Sequence, residues 1–371
     1  MKIAHFKVED WFNEYEKLSK YDMADTCVES LSLEELFSIT GNKDRHLKHI
    51  LKQKLNYGDI QGSEYLKTGI AKLYNNTIST KNITITHGAI GANQLVMLAT
   101  IEKGDKVVSI IPTYQQHYSI PESIGANVEK IFLQEKNNWL PDIEELKLKA
   151  QGAKIICMNN PNNPTGAVMP DSMLKEIVQI ARENNSYILC DEVYRGLEHS
   201  GNISKSIIEL YEKGISTGSM SKVYSLAGLR LGWIATNDEI LNDIIIQREY
   251  NTISVSTIDD YFAGLALENS EKIIKRNITK ILDGKKIVSD WIQQEPHISW
   301  IEPQGGTTAL LKYDLEMSSV ELCKKLLNDT GILFLPASAI DAEGYLRIGY
   351  CSNVKTLQEG LSKFSNWLKQ F

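Results

Sequence analysis

Between residues 83 and 236 the chain alternates short β-rich runs with stretches of helical character, and this alternation limits what it can fold into more than any other feature. The runs are ITIT at 83, KVVSII at 106, VEKIFL at 128, KIICMN at 154, SYILCD at 186, GISTGS at 214 and LGWIAT at 231. Strands joined by helix-length crossovers build a mainly parallel sheet with helices on its faces, so the pattern predicts an α/β fold on a seven-stranded sheet. Between two of these strands, Asp171 is placed to cap a helix. That helix turns Leu174, Ile177, Val178 and Ala181 to one face and Lys175, Glu176, Arg182 and Glu183 to the other. Ligands of such sheets gather at the carboxyl ends of the strands, where this sequence places its Gly, Asn, Asp and Ser clusters.

Beyond residue 270 the pattern changes. Ile274, Ile278, Ile281, Val288 and Ile292 recur at near-helical spacing and predict one long helix linking two units. Ser318 and Glu321 read as a capping box for a helix ending near Gly331, and Leu357, Leu361, Phe364 and Leu368 as the apolar stripe of a terminal helix. A chain of 371 residues is long enough for two cores. The expected division is an N-terminal arm over 1–45 packing with the smaller unit, a large unit over 46–275 and a smaller α+β unit over 276–371. Ser32 and Glu35 give the arm its own capping box.

A net charge of -7 argues against nucleic acid or an anionic membrane as the main partner. No run approaches the ~18 apolar residues of a membrane span, and the acidic start has no signal-peptide character, so a reducing cytoplasm is the expected location. The five cysteines lie far apart without a CxxC pair, which predicts neither a zinc site nor a disulfide framework.

Several short segments carry chemistry. SMSKVYSLAGLRLGW sets Lys222 between Ser219 and Arg230, flanks suited to an anionic phosphate, and a lysine destined for a Schiff base needs a lowered pKa. NNPNNPTG places Asn163 in a turn after KIICMN, and YILCDEVYRG closes a strand with Asp191 and Tyr194. THGAIGANQLV puts Gly88, Ala89 and Ile90 at a helix N-terminus, where free backbone amides favour an anion. IIPTYQQHYSI contributes Tyr114 and His117, NYGDIQGSEYLKTGIA contributes Tyr57, and YLRIGYC contributes Arg347.

In this order the segments resemble the motifs of the fold-type I pyridoxal-phosphate-dependent aminotransferases (class I/II), from roughly residue 45 to the end. The resemblance implies that Lys222 carries pyridoxal 5'-phosphate as a Schiff base and then moves a proton between the substrate α-carbon and the cofactor. It implies that Asp191 holds the pyridine nitrogen protonated, so that the ring can absorb carbanion charge. Asn163 and Tyr194 would bond the phenolic oxygen, Asn163 also bordering the substrate, and Tyr114 would stack on the ring. Backbone groups of Gly88, Ala89 and Ile90, together with Ser219 and Arg230, would hold the phosphate, with Tyr57 reaching it from a second copy in a homodimer with shared sites. Ile90 replaces the usual hydroxyl residue, leaving only backbone donors there. His117 would stand behind Asp191 and orient it. Arg347 would grip the α-carboxylate, because guanidinium offers a flat two-point fork.

The implied reaction passes the α-amino group of a small amino acid to a 2-oxo acid. A β-lyase or a cyclase on the same scaffold uses the same lysine and aspartate, and fold does not decide which bond breaks. ISVS at 253, PQGGTTAL at 303 and LRIGYC also resemble the branch containing capreomycidine synthases. A non-catalytic, cofactor-sensing regulator needs a DNA-binding domain ahead of the fold, and the motifs start too early for one. The resemblance also implies that the arm lies near the substrate, and its Asp25 and Glu29, without any Lys or Arg, would then set a carboxylate toward a cationic or amide-bearing substrate side chain.

Overall fold

A computed structural model of the chain describes residues 2–75, 77–351 and 353–371. It opens with a helix, Lys7–Tyr15, and a two-residue strand β1, Tyr21–Asp22. The seven expected runs then form β2 (Ile83–His87), β3 (Lys106–Ile111), β4 (Asn127–Phe132), β5 (Ile155–Asn159), β6 (Tyr187–Asp191), β7 (Gly214–Ser219) and β8 (Leu231–Thr236). They make one sheet in the order β2-β8-β7-β6-β5-β3-β4, parallel except for β8, which runs antiparallel to both neighbours. Its inner strands are buried along their length because helices cover both faces. On one face Ile155, Cys157, Leu189, Ile215 and Ile234 pack against Ala92, Leu95 and Val96 of the helix Gly88–Thr100. On the other face Ile156, Met158, Ile188 and Cys190 join the larger core.

A second, antiparallel sheet has the order β12-β13-β10-β9, from β9 (Ile298–Trp300), β10 (Thr308–Tyr313), β12 (Leu335–Pro336) and β13 (Tyr345–Gly349). The short β11 (Ile332–Leu333) pairs with β1 and so ties the arm to this unit. The arm also crosses Gly349, where an added Cβ would lie 1.6 Å from the Asp25 carbonyl oxygen, so only glycine admits it. Further along, Leu33–Thr40 turns to the other unit, with Phe37 against Phe262.

The long helix spans Ser270–Ile292, and the terminal helix, Val354–Leu368, buries the four stripe residues. Ser32 and Glu35 form a complete capping box. Two caps differ from expectation. Asp171 is the first residue of its helix and makes no capping bond, because Pro170, fixed in extended backbone, occupies the cap position; the carboxylate then acts only on the helix dipole. Ser318 accepts from the Glu321 amide at 3.2 Å, but the Glu321 carboxylate pairs with Lys325 instead of closing the box.

Candidate active site

Parallel register sets Asn159, Asp191 and Thr217 side by side at the carboxyl ends of β5, β6 and β7. A cavity of about 580 Å³ opens above them, closed from the other side by the second sheet, the arm and the first helix. Ala89, Ile90, Tyr114, Asn163, Asp191, Tyr194, Ser219, Lys222, Arg230 and Arg347 all line it, although they come from segments spread over 259 positions of sequence numbering, from 89 to 347. Gly88 stands at its edge with φ +67, and the space where a Cβ would sit is 3.1 Å from Arg230 Nη2. The guanidinium therefore lies against the start of the helix Gly88–Thr100, with the buried Ser219 hydroxyl on the same wall. A cation, a hydroxyl and free helix-end amides together suit a phosphate. Tyr57 lies elsewhere, 73% exposed, in a depression shared with Arg45, His46 and Tyr261.

Asp191 is buried, and Asn93 Nδ2 donates to its Oδ2 at 2.8 Å while the Val193 amide donates to Oδ1 at 3.1 Å. Asn93 is itself fixed by Thr217, whose hydroxyl donates to Asn93 Oδ1 at 2.7 Å. Burial pushes the Asp191 carboxyl up to about 6, against the opposing pull of the Asn93 and Val193 bonds and of Lys222. His117 stands behind it with Nε2 at 3.9 Å, too far for a hydrogen bond, and burial pulls the imidazole down to about 4, so it is neutral. The orienting part expected of His117 therefore falls to Asn93. Sequence reasoning missed Asn93, although its place one helical turn beyond Ile90 was a usable signal.

The Lys222 amine is half-buried. It donates to Thr26 Oγ1 at 2.5 Å and contacts Cys27 Sγ at 3.1 Å, two arm residues that carried no sequence signal. Burial pulls its pKa down, but Tyr194, Cys27 and Asp25 together more than offset that and leave it above the ordinary lysine value. This reverses the lowered value expected from the motif: acidic neighbours outweigh burial. Arg347 is buried with Nη2 donating to the Ala24 carbonyl at 3.0 Å and Nε without a partner among the described residues. The Tyr194 hydroxyl is likewise buried and unpartnered.

The arm acids behave differently from expectation. Glu29 pairs with Lys280 at 2.6 Å on the surface, and Asp25 is exposed with Oδ1 accepting from its own neighbour Cys27 N; neither lines the cavity. The carboxylate that does line it beside Asp191 is Glu9, on the first helix.

A model of aminotransferase class I and II matches residues 39–364. The chain belongs to this family. A solved structure of a PLP-dependent aminotransferase from Streptococcus suis 89-1591 is 42% identical, covers 100% of this chain and 99% of its own, and superposes with a TM-score of 0.97. Capreomycidine synthase from Streptomyces vinaceus is 25% identical over 97% of this chain and 93% of its own length. Aspartate aminotransferase from Thermotoga maritima is 26% identical over 87% and 86%. The chain is a pyridoxal-phosphate-dependent enzyme of this family.

The residues present fit that cofactor. The buried Tyr194 hydroxyl and Arg347 Nε, on residues that line the cavity, have no partner among the described residues, and the Gly88, Ser219 and Arg230 wall suits its phosphate. Asp191 would supply the counter-charge to the ring nitrogen, with Asn163 and Tyr194 toward the phenolic oxygen and Tyr114 toward a ring face. When bound, pyridoxal phosphate draws off the electron pair left at the substrate α-carbon. Arg347 would orient the α-carboxylate, and Lys222 Nζ would take and return the α-proton once its own ammonium has given up a proton.

The buried pair has a consequence for stability. A carboxyl raised in the folded state stabilises the fold below its unfolded value near 4, and that contribution is lost as pH rises through about 6. The lowered His117 acts in the opposite sense, its contribution being present above about 6.5 and lost as pH falls toward 4. In the cofactor-free form, Asp191→Asn is expected to be more stable than the wild type at pH 8 by up to about 3 kcal/mol, with the advantage gone at pH 4. Thermal unfolding of both proteins across that range measures it.

Proposed function

We propose that the chain is an aminotransferase in the strict sense, moving the α-amino group of an amino acid to a 2-oxo acid in two half-reactions. One observation carries this choice, the likeness along the whole chain, at 42% identity, to the PLP-dependent aminotransferase from Streptococcus suis, and the cavity agrees with it. Among the described residues Lys222 is the one lysine lining the cavity, and the other two cations there are arginines, which do not give up protons at ordinary pH. A single amine serving as both acceptor and donor suits a proton moved from the substrate α-carbon to a carbon of the cofactor, the 1,3-shift that completes transamination, while elimination needs the same amine for its first proton. The experiment is to follow 2-oxoglutarate or pyruvate as amino acid is consumed: transamination uses them one for one.

A cyclase is the second reading, favoured by the match to capreomycidine synthase along nearly the whole chain. Amino acid consumed without any 2-oxo acid, with a cyclic product, supports it; release of ammonia and a new 2-oxo acid supports a β-lyase instead.

The active form we propose is a cytoplasmic homodimer with shared sites. Leu51, Leu55, Tyr57, Ile60, Tyr250 and Ile253 are exposed apolar side chains that a second copy would cover, with Tyr57 turned to the neighbour's phosphate. Mixing Lys222→Ala with Tyr57→Ala subunits should then restore activity, since one site of each heterodimer is intact. Heterodimers that form without recovery would argue against sharing.

A further inference from the structure

The cations of the cavity are fully committed under the proposed aminotransferase function, on which this inference rests. Lys222 and Arg230 serve the cofactor, and Arg347 the α-carboxylate, so among the described residues no positive charge is left in the lining to receive an acidic side chain. One negative charge is left over. Asp191 is bound by Asn93 and the Val193 amide, but Glu9 meets only the Tyr114 hydroxyl, at a long 3.4 Å, and no Lys, Arg or His among the described residues lies within ion-pair distance of it.

The position of Glu9 is built. The first helix, Lys7–Tyr15, presents Val8, Glu9 and Phe12 to the cavity as one face. That face is bolted at both ends. Lys7 Nζ reaches Asp341 at 3.0 Å, the Lys7 amide donates to Gln115 Oε1 at 3.0 Å, and Trp11 Nε1 donates to the Phe334 carbonyl at 3.0 Å. Phe12 lies by the Arg347 guanidinium at 6.0 Å, so the helix face borders the group that fixes the α-carboxylate. Arg347 Nε, buried and unpartnered, independently marks this side of the cavity as a ligand position.

We propose that Glu9 is the specificity residue for the substrate side chain and selects a cationic one, an amine or guanidinium at the end of an aliphatic stem. The stem would run along Phe12 and Tyr114, and the charge would end on the Glu9 carboxylate at the solvent-reached mouth. The acidic group sought by sequence at Asp25 and Glu29 is thus supplied by a different element.

The test is a single-turnover panel of lysine, ornithine, arginine, norleucine, phenylalanine and glutamate with the cofactor-loaded wild type and with Glu9→Gln and Glu9→Lys, read by the change in cofactor absorbance. Binding of α-methyl-ornithine, which has no α-proton to lose, is measured in parallel by calorimetry. In the wild type the best cationic substrate should exceed norleucine in kcat/KM. That ratio should fall about tenfold in Glu9→Gln and further in Glu9→Lys, with the change in KM rather than kcat and with matching loss of analogue affinity. A wild type that turns over amino acids but ranks norleucine, phenylalanine or glutamate first, or a ratio unchanged in both variants, overturns the Glu9 assignment and leaves the aminotransferase function standing. No absorbance change with any amino acid overturns both. Loss of folding in a variant shows as an altered melting temperature, and the wild-type ranking then still decides.

Discussion

The Lys222→Ala protein should lose at least about a thousandfold in single-turnover rate while keeping its fold and much of its cofactor affinity. The size follows from two losses at once. A positioned base contributes roughly 10²- to 10⁴-fold on its own, and the covalent anchor that pre-orients the cofactor disappears with it. Retained affinity follows from the remaining contacts: Arg230 beside Gly88, the Ser219 hydroxyl, Asp191 held by Asn93, and the unpartnered Tyr194 hydroxyl are all untouched by the substitution. The side chain itself contributes little to packing, since it is half-buried and its amine meets Thr26 and Cys27 of the arm. Three measurements separate this from simple misfolding. Borohydride should fix cofactor to the wild type at a peptide containing Lys222 and should fix none to the variant. Thermal unfolding should remain cooperative. Added methylamine should restore part of the rate in proportion to its concentration, because a small free amine can take the α-proton in place of Nζ. Normal turnover with a reducible bond still present would move the assignment to another lysine. Because acidic neighbours keep the Lys222 ammonium above its ordinary value, cofactor loading of the wild type should also quicken as pH is raised, only the neutral amine being nucleophilic.

Much of this site was legible because its parts lie where local pattern is strongest. The seven strands of the large sheet fall within about a residue of the β-rich runs, since a strand covered on both faces must be apolar along its length. Strand ends then fix Asn163, Asp191, Tyr194 and Ser219, and the helix start after β2 fixes Gly88, Ala89 and Ile90. What escaped was set by distance rather than pattern. The strands β1, β11 and β12 are two residues long and exist only through partners far away in sequence. Thr26 and Cys27 reach Lys222 across 196 and 195 positions, and Glu9 enters through a nine-residue helix whose sequence resembles any surface helix. His117 shows the reverse failure. A suggestive position in the motif placed it behind Asp191, but from the helix Gln116–Ile124 its Nε2 stops 3.9 Å away and the shorter bond belongs to Asn93. The direction of the Lys222 shift was misjudged in part for a related reason, since of the groups that raise it Tyr194 lies in a motif but Cys27 and Asp25 belong to an arm nearly two hundred residues upstream.

Arg347→Lys should reduce kcat/KM on the best amino acid by about 2 to 5 kcal/mol, roughly thirtyfold to several thousandfold. The geometry explains why a conserved charge is not enough. One corner of the guanidinium is already pinned, Nη2 to the Ala24 carbonyl, and the arm carrying Ala24 lies that close only because Gly349 beside it has no side chain. Pinning leaves Nε buried without a partner among the described residues, and a planar guanidinium offers the parallel donors that a carboxylate accepts best. Phe12 by the guanidinium restricts it further. A lysine would bring one tetrahedral ammonium to a pocket shaped for a plane and leave the Ala24 carbonyl or the substrate short of a donor. Since a loosely held α-carboxylate lets the α-C–H bond swing away from Lys222, the loss should appear in kcat as well as in KM. Removing the same interaction from the other side gives the control. A primary amine with the same side chain but no α-carboxylate should be a far poorer ligand than the amino acid for the wild type, and nearly as good a ligand as the amino acid for the variant. An Arg347→Lys enzyme with undiminished kcat/KM, or one that still discriminates against the decarboxylated amine, would assign the carboxylate to a different partner, and among the described residues Arg230 is the other arginine lining the cavity that could take it.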